Sequence, residues 1–238
     1  MSDDRRDELA ANLQAVRRRI TTAARAAGRD PDEITLVAVT KFFPSSDVRL
    51  LAELGVTDVG ENRHQEAQEK VADCQDVRVR WHFVGGLQSN KAAAVAAYAD
   101  VVESVDRIKL AGPLNRGAHE RSHEVDALLQ VSLDPPGPSQ SHSGRSGADP
   151  DDLDELASAV EEAGMLRLRG LMAIAPLGED PAAAYARLAG IRQRFVATHP
   201  EATWLSAGMS GDLEAAIEAG ATHVRLGTAV LGPRPHNL

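Results

Sequence analysis

The sequence predicts a single (β/α)8 barrel of the TIM type with an extra N-terminal helix, one domain over residues 1–238. Three observations predict it. Eight short apolar segments alternate with helical periodicities, no linker separates two cores, and the 238-residue length suits one such barrel, about 250 residues being typical. An open doubly wound sheet would carry fewer strands. Hydrophobic residues make up 43% of the chain but aromatics only 3%, so the core must be built from Ala, Val, Leu and Ile. That mixture suits helices packed on buried strands.

The elements follow in order. Leu9, Leu13, Val16, Ile20 and Ala24 recur every three or four residues and predict an amphipathic helix ending near Gly28. Residues 34–40 are apolar and β-branched, a buried strand with Lys41 at its C-terminal end. Ser45 or Ser46 caps a helix through Leu54. Residues 56–60 form a strand ending at Glu61-Asn62, and 63–72 a helix. Residues 81–84 form a strand before Gly85-Gly86, and 89–97 a helix. Strand 101–105 and helix 107–118 come next, then strand 125–133. Residues 135–150 are rich in Pro, Gly and Ser and read as the longest irregular loop. Helix 151–163 begins with acidic residues that suit its dipole. Strand 167–174, helix 181–198, strand 203–206, helix 212–219 and strand 222–226 complete the alternation, and 228–231 begin a short turn.

In such barrels chemistry sits at the C-terminal ends of the strands. Lys41, Glu61, Asn62, His82, Ser104, Met172, Ser206, Arg225 and Gly227 fall there. Two strand exits suit an anion. Ser206-Ala207-Gly208-Met209-Ser210-Gly211-Asp212 runs from a strand into a helix, and Arg225-Leu226-Gly227-Thr228-Ala229 leaves the last strand. Glycines admit close approach of the backbone, and hydroxyls with helix-start N–H groups bind phosphate. The plain alternative for either turn is a helix cap. An ammonium at the end of a buried strand is costly unless paired or discharged. A desolvated, neutral lysine attacks aldehydes to form a Schiff base. The plain alternative for Lys41 is a side chain snorkelling at the barrel rim.

Other classes are disfavoured. A net charge of −9 repels nucleic acid. Cys74 is the single cysteine, which fits a cytoplasmic protein. The N-terminus has no apolar stretch of a signal peptide, and no run approaches the ~20 apolar residues of a membrane span. The eight histidines show no metal-ligand spacing.

Several blocks then occur together in one order: Leu36-Val37-Ala38-Val39-Thr40-Lys41, Gly60-Glu61-Asn62, the stretch from Trp81 to Lys91, Arg169-Gly170-Leu171-Met172-Ala173-Ile174, Leu205-Ser206-Ala207-Gly208-Met209-Ser210 and Val224-Arg225-Leu226-Gly227-Thr228. Across nearly its whole length the chain resembles the pyridoxal phosphate homeostasis proteins, whose barrel is like the N-terminal domain of alanine racemase. The resemblance implies pyridoxal 5′-phosphate as cofactor, carried on Lys41. It implies that Ser206, Ser210, Gly227 and Thr228 hold the phosphate, with Gly208 and Met209 in the same loop. Arg225 faces the pyridine nitrogen, and Asn62 and Met172 are ring-side neighbours. It further implies other B6 vitamers as ligands, apo forms of pyridoxal-phosphate enzymes as recipients, and a monomer. Two departures stand out. The family's Lys-x-Gly motif after strand five corresponds to Arg145-Ser146-Gly147, and Phe42-Phe43 follows Lys41 where smaller or single aromatic residues are common.

A carrier is expected in preference to a racemase. An arginine at the ring nitrogen stays charged and only donates, which weakens the ring as an electron sink. Racemases of this architecture add a β-rich domain, and the sequence ends soon after the last strand. Tyr98 and Tyr185 fall at the end of one expected helix and within another, which leaves no tyrosine for a second acid/base group. A sugar-phosphate barrel without this cofactor is the third reading.

Overall fold

The computed structural model describes residues 2–134 and 147–233. Eight parallel strands close into a barrel in sequence order. They are β1 (Thr35–Val39), β2 (Asp58–Glu61), β3 (Arg80–Phe83), β4 (Val101–Val105), β5 (Val125–Gln130), β6 (Leu166–Met172), β7 (Trp204–Ser206) and β8 (His223–Leu226). Closure is made by β8 on β1, with Thr35 opposite His223 and Ala38 opposite Leu226. The helices are α1 (Ser2–Ala26), α2 (Ser45–Glu53), α3 (His64–Asp73), α4 (Ala92–Ala96), α5 (Ala111–Arg121), α6 (Leu153–Glu161), α7 (Pro181–Thr198), α8 (Leu213–Glu218) and α9 (Thr228–Leu231). None of the described helices is long and apolar enough to cross a membrane.

The apolar stripe of α1 does what its periodicity requires. Leu9, Leu13, Val16 and Ile20 are buried with Leu213, Ile217, Val230 and Leu231, so the extra helix covers the outer side of α8 and α9. A second apolar layer lies between the strands and α4–α7, with Leu114, Leu156, Val160, Tyr185 and Leu188 fully buried.

Two expected elements are shorter. Strand β5 stops at Gln130 because the returning chain takes its edge: Ala148 N–H donates to Gln130 O at 2.7 Å and Ser132 N–H to Ala148 O at 2.9 Å. Helix α4 covers 92–96, because residues 89–91 form a turn. The ladder is irregular where β5 meets β6. Ala127 pairs with Leu168 but Leu128 pairs with Gly170, so Arg169 is an extra residue. Gly170 makes the bulge possible: its φ is +151°, and a Cβ there would lie 1.9 Å from Trp204 O.

Candidate functional site

Lys41 leaves β1 into a turn whose backbone is pinned on both sides. Thr40 N–H donates to Gly60 O at 2.9 Å, and Thr40 O accepts from Lys70 Nζ at 2.9 Å and from Phe43 N–H at 3.0 Å. Phe42 has φ +70°, a left-handed conformation costly for a non-glycine residue, and its N–H is held by the Glu66 carboxylate. Arg63 stacks its guanidinium 4.7 Å from the Phe42 ring centre. Lys70 reaches from α3 to bind the Glu61 carboxylate, and lies 3.2 Å from Glu66 Oε1. Thr40 Oγ1 donates to Glu61 Oε1 at 2.6 Å. Lys70 and Glu61 are 5% and 1% exposed, and burial pushes Glu61 above the usual carboxylate range despite Lys70. The residues flanking Lys41 are thus fixed by a buried ion pair.

A cavity of about 700 Å³ opens at this end of the barrel. Its wall includes Lys41, Asn62, Met209, Ser210, Arg225, Gly227 and Thr228. Asn62 contributes a buried Oδ1 with no hydrogen-bond partner among the described residues.

The two strand exits lie side by side because β7 and β8 continue to pair beyond their ladder. Ala207 N–H donates to His223 O at 3.0 Å and Arg225 N–H to Gly208 O at 2.9 Å. Gly208 has φ +95°, and a Cβ would meet the Ala216 Cβ at 2.7 Å, so only glycine lets the chain turn back onto α8. Asp212 braces the loop, accepting from Met209 N–H and, at 2.9 Å, from the Tyr185 hydroxyl.

Beneath the cavity the barrel interior holds a column of polar groups. Arg225 Nη1 donates to Ser206 Oγ at 2.6 Å, and Nη2 to Ala173 O at 2.9 Å. Ser206 Oγ donates to Glu103 Oε2 at 2.6 Å. His82 bridges Glu103 Oε1, 2.7 Å from Nδ1, and Asp58 Oδ1, 2.9 Å from Nε2. Burial alone would raise Glu103, but His82, Arg225 and the Ser206 hydroxyl outweigh it and hold it at about 2. Burial alone would lower His82, and its two carboxylates hold it above its usual value.

The structure therefore gathers Lys41, Asn62, Met209, Ser210, Arg225, Gly227 and Thr228 on one cavity. It does not bring Ser206, Gly208 or Met172 to that wall. The Ser206 side chain, expected among the phosphate holders, points inward, where its hydroxyl is engaged by Glu103 and Arg225. Gly208 shapes the loop. Met172, expected beside the ring, is buried with Val101 and Leu128 inside the barrel. Phe42 and Phe43 both line the cavity, and Phe43 also packs into the buried layer beneath α1. Arg145 lies outside the described residues. Sequence reasoning missed Lys70, Glu66 and Glu103. A charged residue inside the apolar run of residues 101–105 was the available signal for Glu103.

Known proteins resemble this chain over nearly its whole length. The family model described as "Alanine racemase, N-terminal domain" matches residues 9–235. The pyridoxal phosphate homeostasis protein of Mycobacterium tuberculosis is 42% identical over 247 aligned positions, which cover 97% of this chain and 95% of that protein. The chain belongs to the pyridoxal phosphate homeostasis protein family. The family member of Pseudomonas aeruginosa is likewise 42% identical, with 96% of each chain covered. The structure of PipY from Synechococcus elongatus with PLP bound superposes with a TM-score of 0.80 at 33% identity, covering 94% of this chain and all of that one. An alanine racemase of Clostridium difficile shares the fold alone, at a TM-score of 0.70 and 13% identity.

Proposed function

We infer that this family member binds pyridoxal 5′-phosphate covalently through Lys41 and stores, protects or delivers it in the cytoplasm as a monomer, without robust turnover. One observation carries this reading: Lys41 and the two hydroxyl-and-glycine loops face a single cavity. The residues present fit the cofactor. The unpartnered Asn62 Oδ1 on the same wall suits a ligand hydroxyl, and Gly227 lets the last loop lie close against β1, since a Cβ there would lie 3.3 Å from Val39 O.

When bound, the cofactor supplies a reactive aldehyde on an electron-withdrawing ring. Lys41 provides the amine that condenses with that aldehyde, with loss of one water. Ser210 and Thr228 offer hydroxyls to the phosphate. Arg225, whose guanidinium has only N–H groups to offer, presents donors to the ring nitrogen and disfavours its protonation, which limits the ring as an electron sink. Vitamers lacking the phosphate bind more weakly for want of the loop contacts. The cavity opens at the barrel mouth, so Lys41 remains within reach of water and of the amines of apo enzymes that would receive the cofactor.

The test is an absorbance spectrum of the purified protein with pyridoxal 5′-phosphate before and after borohydride, followed by peptide mapping. The adduct is expected on Lys41, and Lys41→Ala is expected to retain only weak, phosphate-held cofactor. A Lys41→Ala protein with an undiminished yellow band contradicts the assignment. Incubation with L-alanine is expected to yield no more D-alanine than the Lys41→Ala control, and a clear excess would establish a racemase.

A further inference from the structure

Glu103 is an expensive residue to place where it is. It is fully buried in the middle of the barrel, and a carboxylate there costs several kcal/mol unless its surroundings compensate. The compensation is directional. A carboxylate with so low a pKa only accepts, so the Ser206 hydroxyl must donate to Glu103 Oε2. Its one proton is then committed, and toward Arg225 Ser206 presents lone pairs, which Arg225 Nη1 occupies at 2.6 Å. Glu103 Oε2 itself lies 3.5 Å from that Nη1. From below, His82 holds Glu103 Oε1 with one ring nitrogen and Asp58 with the other. Asp58 is held in turn by Thr57 Oγ1 at 2.6 Å and by Arg80 at 3.7 Å. From Glu103 to Arg225 each hydrogen bond has one direction. The guanidinium cannot rotate without breaking that order, and the same side chain lines the cavity floor.

We propose that Glu103, seated by His82, is a positioning residue: through Ser206 it aims the Arg225 guanidinium at the ring nitrogen of a bound ligand, and so makes the cavity selective for an aromatic ring carrying an unprotonated nitrogen. This rests on the reading that pyridoxal 5′-phosphate lies over Arg225. The column's role is to keep a donor fixed where an acceptor arrives, at the end of the ligand remote from Lys41 chemistry. A column that merely fills and glues the barrel would affect all ligands alike.

The experiment compares pyridoxal 5′-phosphate with its carbocyclic analogue, in which a CH group replaces the ring nitrogen and the aldehyde, phenol and phosphate are unchanged. Equilibrium binding is measured for the parent, Glu103→Gln and Ser206→Ala, each checked for folding by circular dichroism. The parent is expected to prefer pyridoxal 5′-phosphate by about tenfold, the value of one hydrogen bond from a charged donor. In both variants the preference is expected to fall to about twofold or less, through loss of affinity for the nitrogen ligand alone. An unchanged preference, or an equal loss for both ligands, overturns the proposal. If Glu103→Gln does not fold, Ser206→Ala, which removes one oxygen, decides by the same criterion. Failure of the underlying reading has a separate signature: no borohydride adduct on Lys41 of the parent with either ligand.

Discussion

Replacing Lys70 by Met tests the buried ion pair beside Lys41. The side chain is nearly isosteric, so the change removes a charge and little volume. Glu61 is then left 1% exposed with no cation, and it escapes by binding a proton. The ordinary value for this carboxyl is 4.5, so taking up a proton at pH 7 adds at most about 3 kcal/mol, at about 1.4 kcal/mol per pH unit, and less to the extent that Glu61 is already raised in the parent. Leaving the Thr40 carbonyl without Lys70 adds about 1 kcal/mol. The expected loss is therefore between about 1 and about 4 kcal/mol at pH 7, or a fall in Tm of up to about 10 °C for a chain of this size. At pH 5 the protonation term shrinks to under about 1 kcal/mol, so the loss falls to at most about 2 kcal/mol. The sign follows from an acid whose folded pKa is raised: its penalty is absent below the unfolded value and grows as pH rises toward the folded one. Urea melts of parent and Lys70→Met at pH 5 and pH 7 measure both numbers. A loss that is the same at the two pH values, or below about 1 kcal/mol at pH 7, refutes the reasoning. Adding Glu61→Gln to Lys70→Met is expected to abolish the pH dependence.

Glu103 gives the opposite pH behaviour. With a folded value of about 2 against an ordinary 4.5, it contributes about 3 kcal/mol above pH 4.5 that is lost as pH falls toward 2, and urea melts between pH 5 and pH 2.5 should show a shallower acid limb for Glu103→Gln. Gly208→Ala forces a Cβ to within 2.7 Å of Ala216 at φ +95°, and is expected to cost about 2 kcal/mol or more in thermal melts and to weaken pyridoxal 5′-phosphate binding. Tyr185→Phe removes one hydrogen bond to Asp212 and is expected to cost about 1 kcal/mol in urea melts while leaving the Lys41 adduct in place.

The barrel was legible because each strand is buried on both faces and each helix carries an apolar stripe, so period and composition change together along the chain. That Lys41, Asn62, Gly227 and Thr228 share one cavity was legible because each lies at or just beyond a strand end, on the same rim of the barrel. Ser206 and Met172 were placed too near the cavity for one reason. Each is the last residue of its strand and turns its side chain inward, and whether an inward side chain lines the mouth or packs below it depends on its depth in the barrel, which strand register sets. The bulge at Arg169 shifts the register of β6, and nothing local in the sequence announces it. Lys70 was hidden differently. Glu66 lies one turn before it on α3, but Glu61 and the Thr40 carbonyl come from the ends of β2 and β1, which meet α3 only after the chain has folded.

The continuation of β7–β8 pairing past the strands has a practical consequence. Arg225 is stitched twice, its amide to the Gly208 carbonyl and its guanidinium to Ser206, so the anion loop and the barrel floor share one residue. Hydrogen exchange at the Arg225 amide therefore serves as a built-in gauge of loop opening, and ligands that grip the loop should slow it even when they never touch that proton.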